Sequence, residues 1–91
     1  DKEENIMIKK AVTIQANMDM ESHPIAHLVQ EASQYRSQVF IEMDNKKINA
    51  KSIMGMMTIN LSKGICLTVV ADGADEINAV NGVETFLTTV R

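Results

Sequence analysis

The 91-residue chain has room for one domain, and at this size folding removes only about 60–65% of the surface that the unfolded chain exposes, so one thin core is expected and a buried catalytic cavity is not. A net charge of −3 and a pI near 5.2 argue against a general nucleic-acid or membrane-surface role, and no stretch is apolar enough to span a bilayer. The single cysteine, Cys66, excludes an intrachain disulfide, and the opening residues lack a signal-peptide pattern, so a reducing cytoplasm is the expected setting.

In chain order, Asp1 to Asn5 are polar and read as a frayed tail, whereas Val12, Ile14 and Ala16 alternate with polar or small neighbours and predict a half-buried strand near 7–16. Ser22-His23-Pro24 predicts a helix start, with Ser22 as cap and the proline in the first turn, where no intrahelical N–H is lost. Ile25, Leu28, Val29 and Ala32 then share one helical face. A β-rich run from Ser37 to Met43 meets Lys46 to Asn49 across Asp44-Asn45, a tight hairpin turn.

A second helix is expected from Ser52 to just before Lys63-Gly64. Ile65, Leu67, Val69 and Ala71 alternate with Cys66, Thr68 and Val70, which predicts a central strand with Cys66 as a small packed hydrophobe. After Asp72-Gly73, acidic residues open a last helix in which Ile77, Val80, Val83, Leu87 and Val90 keep helical spacing to the C-terminus. Asn81-Gly82 is a hairpin signal in isolation. The 3.6-residue period on both sides makes it a weak spot inside the helix instead, costing about 1 kcal/mol relative to alanine. The order is β-α-β-β-α-β-α in a single α+β domain spanning residues 1–91.

Seven methionines stand against one tyrosine, two phenylalanines and no tryptophan. Three of them, Met54, Met56 and Met57, follow Lys51-Ser52-Ile53. A short helix over a thin core cannot bury all three, so one or two are expected beside Ser52 as adaptable binding surface. Ser52 is an ordinary N-cap by residue type, and it is also suited to phosphorylation: a phosphate there faces unpaired N–H groups and the positive end of the helix dipole. His23 and His27 lie four apart at a spacing that can hold a metal ion, but two ligands do not make a site, and no metal or cofactor is expected.

The run Asn49 to Met57 resembles the regulatory-serine motif of the HPr-like family, the phosphocarriers of the bacterial sugar phosphotransferase system, and of its non-transporting branch Crh, the catabolite-repression HPr. Order and spacing from Lys10 to Val90 are similar to that family without insertion. The resemblance implies an open-faced β-sandwich, a four-stranded antiparallel sheet in order 1-4-2-3 covered on one face by three helices. In HPr, a phosphoryl-accepting histidine stands three residues before the proline of the first helix and an arginine one before it. Here those positions hold Glu21 and His23. A glutamate lacks the imidazole that carries a labile phosphoramidate, and its charge repels an incoming phosphodonor, so relay activity is expected to be lost and the match is nearer to Crh.

The resemblance implies a non-enzymatic regulator of carbon catabolite repression from a low-GC Gram-positive bacterium. HPr kinase/phosphorylase would phosphorylate Ser52, and the phosphoprotein would act as corepressor of catabolite control protein A, a LacI-type regulator, without touching DNA itself. Lys51, Ile53, Met54 and Met57 are the expected partner-binding residues, with Lys51 helping to hold the phosphate. His23 borders them and offers a pH-sensitive contact in place of the arginine. The alternative is a phosphocarrier paralogue that uses His23 as a displaced nucleophile, which proximity-dependent chemistry disfavours. A nucleic-acid-binding reading of the same element order lacks aromatic residues on the Ile65–Ala71 strand and a basic face.

Overall fold

The computed structural model describes residues 7–18 and 23–89. The elements are β1 (Ile8–Thr13), α1 (Pro24–Ser33), β2 (Gln38–Met43), β3 (Lys46–Asn49), α2 (Ile53–Met56), β4 (Cys66–Asp72) and α3 (Glu76–Thr88). All strand pairs are antiparallel in the order β1-β4-β2-β3, so β4 is central as its alternation predicts. The register sets Thr13 opposite Cys66 and Phe40 opposite Val70. At the β2–β3 turn, Asp44 and Asn45 have φ of 52° and 64°, the paired positive values that a two-residue turn needs to follow the strand twist.

One parity of each strand faces the helices. Val12, Val39, Ile41, Ile48, Leu67, Val69 and Ala71 pack in one cluster with Leu28 and Ala32 of α1, Met56 of α2, and Ala79, Val80, Val83 and Leu87 of α3. The other parity forms the open face, where Lys47 sits 4.6 Å above the Phe40 ring and Lys9 pairs with Glu42 at 3.8 Å. Val70 lies on this face between its register partners Lys9 and Phe40 and is nevertheless fully buried. Beyond β1, Ile14 N–H donates to the Ile65 carbonyl, while Gln15 and Ala16 donate to the Leu87 carbonyl, tying the sheet to the end of α3.

Several expectations need correction. Cys66 is exposed rather than packed, because it shares the parity of Thr68; its Sγ lies 3.2 Å from Thr13 Oγ1 on the open face. Ile77 is 63% exposed, since Ala79 rather than Ile77 shares the inward face of α3 with Val80, Val83 and Leu87. The second helix is a single turn, ending at Met56 instead of approaching Lys63. Gly55 propagates a helix poorly, and the Thr58 hydroxyl and N–H both donate to its carbonyl, turning the chain away. The β1 strand is shorter than 7–16, and α3 ends at Thr88. The expected cap Ser22, the frayed tail at 1–5 and Val90 lie outside the described residues.

Gly82 is inside α3, and packing explains it. A Cβ at that position would lie 1.9 Å from the Tyr35 hydroxyl, which donates to Glu31 Oε2 at 2.9 Å. The glycine lets α1 and α3 approach with Tyr35 between them. Burial first, and then the Glu31 hydrogen bond, push the Tyr35 phenol above its usual pKa.

Candidate regulatory site

The α2 turn is anchored from below and presented above. Met56 is fully buried in the core, and Ala50 just before the turn is too. Ser52 occupies the cap with extended backbone (φ −101°, ψ 112°), and its Oγ accepts from Gly55 N–H at 3.3 Å. The serine is half-buried, while Ile53 is 42%, Met54 77% and Met57 68% exposed. Of the three methionines one is inside and two are outside, within the one or two expected at the surface.

The start of α1 lies alongside. His23, Pro24, Ile25 and Ala26 join Ile53 and Met57 in lining a shallow groove of about 390 Å³. His23 is exposed, holds φ of 128° and makes no side-chain cap; Pro24 opens the helix with its φ already set and no N–H of its own to satisfy. His23 thus borders the α2 surface as expected. Pro24, Ile25 and Ala26 were not among the expected site residues, and their sequence signal for this groove is membership of the first turn of α1. Glu21, the residue at the carrier-histidine position, lies outside the described residues.

Lys51 is hydrogen-bonded through both its side chain and its backbone. Its Nζ donates to the Tyr35 carbonyl at 2.6 Å, bridging the α2 approach to the loop after α1, and its backbone N–H donates to Asn49 Oδ1 at 2.9 Å. One of the ammonium's N–H donors is thereby engaged with the backbone after α1. His27 is half-buried, not solvent-facing like His23. Among the described residues, no group of three or more His, Cys, Asp or Glu side chains is placed to hold a metal ion, and no helix is long and apolar enough to cross a membrane.

The fold is thus a four-stranded open-faced sandwich that offers a capped serine and the start of α1 on one surface. The family model for the PTS HPr component phosphorylation site matches residues 8–89, and the chain belongs to the HPr family. It is 38% identical over 81 residues to the HPr-like protein Crh of Halalkalibacterium halodurans, covering 89% of this chain and 96% of that one. Among solved structures, the phosphocarrier protein HPr of Bacillus anthracis superposes with a TM-score of 0.81 at 33% identity, covering 91% of this chain and 99% of that one. Crystalline Crh of Bacillus subtilis, a swapped dimer, matches with a TM-score of 0.67 at 43% identity, covering 74% and 77% of the two chains.

Proposed function

We propose that this chain is a regulatory member of the HPr family, a Crh-like protein of carbon catabolite repression in the bacterial cytoplasm, and not a sugar phosphorelay carrier. HPr kinase/phosphorylase phosphorylates Ser52, and the phosphoprotein binds catabolite control protein A as its corepressor. The observation that carries this reading is the position of Ser52: it caps α2 directly beside exposed Ile53, Met54 and Met57 and the groove that His23 borders. Phosphate and apolar patch together make a composite signal, which charge alone would not, because salt screens exposed charges and many proteins carry phosphate. The relatives named Crh support the same reading, as does glutamate at position 21 in place of a carrier histidine.

The test is incubation with HPr kinase/phosphorylase and ATP, mapping of phosphate by mass spectrometry, and titration of both forms against catabolite control protein A. Phosphate on Ser52 and binding confined to the phosphorylated form are expected. Absence of phosphate at Ser52, or equal binding of both forms, overturns the reading.

A further inference from the structure

Three methionines within four residues sit in contrasting surroundings. Met56 is fully buried, whereas Met54 and Met57 are 77% and 68% exposed. Neither exposed side chain belongs to the core cluster, while Met18 and Met56 do and Met43 packs partly against it. Peroxide attack on a thioether follows access to the sulfur. The two exposed side chains are therefore open to oxidant at a place where modification leaves the core packing alone.

We propose that Met54 and Met57 form a reversible oxidation site that sets the strength of docking beside Ser52; this rests on the reading of that surface given above. The sulfur lone pair attacks one oxygen of hydrogen peroxide. An S–O bond forms and the O–O bond breaks, the sulfur gives up two electrons, and the other oxygen leaves as water. The reverse step needs a methionine sulfoxide reductase and a dithiol: the sulfoxide oxygen departs as water while the dithiol becomes a disulfide. Oxidation turns an adaptable apolar side chain into a polar, strongly hydrated one. Met57 shares the groove with Ile53 and His23. A partner that closes over this surface must strip water from each sulfoxide, so the phosphate on Ser52 stays in place while the apolar half of the signal is lost.

The experiment treats the intact protein with graded hydrogen peroxide, maps sulfoxides by peptide mass spectrometry, and follows thermal melting. Met54 and Met57 are expected to oxidise ahead of Met18, Met43 and Met56 with an unchanged melting temperature; early oxidation of Met56 or a fall in melting temperature overturns the inference. The phosphorylated protein, reduced and oxidised, is then titrated against catabolite control protein A. Oxidation is expected to weaken binding by about tenfold or more, the effect of losing one buried methionine contact, and reductase treatment to restore it. The double variant Met54→Leu, Met57→Leu keeps apolar volume and is expected to bind normally with no response to peroxide, whereas Met54→Gln with Met57→Gln is expected to bind as the oxidised protein does. Equal binding before and after oxidation overturns the inference and leaves the corepressor reading standing. A reduced phosphoprotein that fails to bind overturns the corepressor reading, and the proposed control of docking falls with it.

Discussion

Ser37 donates its hydroxyl to Asp75 Oδ1 across 2.5 Å, and the same carboxylate accepts the Ser37 and Arg36 backbone N–H groups at 2.9 Å each. Residues far apart in sequence are latched there: the loop entering β2 is held against the turn that starts α3. Gly73 makes the approach possible, since a Cβ on it would come within 2.7 Å of Ser37 Cα. The Ser37 hydroxyl, then the Arg36 N–H, lower the Asp75 pKa from 3.8 to about 2. A carboxylate with a lowered folded-state pKa contributes stability that is present above its unfolded value and lost as pH falls through the folded one. Melting temperature is therefore expected to fall as pH drops from about 4 to about 2. Ser37→Ala should melt lower at neutral pH and show a flatter acid limb in that window; an unchanged limb would show that Asp75 is not the titrating group.

Gly82 makes a prediction that runs against helix propensity. Alanine in a helix interior is worth about 1 kcal/mol over glycine, but here the new methyl would meet the Tyr35 hydroxyl and Glu31 Oε2. Overpacking of this kind costs about 1–3 kcal/mol, so Gly82→Ala is expected to be neutral to about 2 kcal/mol destabilising. In a Tyr35→Ala background the hydroxyl is gone and the Glu31 carboxylate, no longer held by it, can swing aside, so the same substitution should stabilise. Chemical denaturation of the four proteins of this double-mutant cycle measures the coupling.

Local pattern accounts for most of the elements and little of the wiring. The alternation of Leu67, Val69 and Ala71 marks β4, and Asp44-Asn45 marks the hairpin, because side-chain periodicity and turn chemistry act over a few residues. Strand order is a non-local property, and it was legible only through the family resemblance. The end of α2 was misjudged because Gly55 and Thr58 act through one backbone carbonyl, a detail that an apolar pattern does not carry. Lys51 and Tyr35, like Ser37 and Asp75, meet through loop geometry, and no spacing rule brings them together. At the candidate site, the cap position of Ser52 follows from residue type, and the exposure of Met54 and Met57 follows because α2 offers too little core for all three methionines.

Enzyme I charged with phosphoenolpyruvate is expected to leave this chain unphosphorylated, because position 21 carries a carboxylate and not an imidazole. Acid-labile label on His23 would restore the carrier alternative. Glu21→His combined with His23→Arg supplies the nucleophile and its arginine neighbour, and this double variant should accept phosphoryl groups from Enzyme I.

Phosphate on Ser52 is expected to leave the fold intact and to stabilise it slightly. A negative group in a first helical turn contributes about 0.3–1 kcal/mol; the single turn of α2 places the gain at the lower end of that range. The Lys51 ammonium is committed to the Tyr35 carbonyl, so the gain should persist in Lys51→Ala once that variant's own loss of stability is subtracted. Melting curves of the phosphorylated and unmodified proteins, each with and without Lys51, provide the comparison, and a phosphoprotein that melts lower would contradict it.

Recognition of the phosphorylated form should depend on residues that the fold can lose without penalty. Met54 and Met57 lie outside the core, so Met54→Ala and Met57→Ala are each expected to change folding stability by no more than about 0.5 kcal/mol. Each should nevertheless weaken binding of the phosphoprotein to catabolite control protein A by about tenfold, because an apolar side chain closed over by a partner is worth about 1.5 kcal/mol or more. His23→Arg works in the opposite direction. It offers the edge of the same groove a permanent planar donor for phosphate or for an acidic side chain of the regulator, and should tighten binding by up to about tenfold. Titration calorimetry on the three phosphorylated variants measures all of these shifts. Methionine variants that bind as tightly as the parent would place the docking surface elsewhere on the molecule.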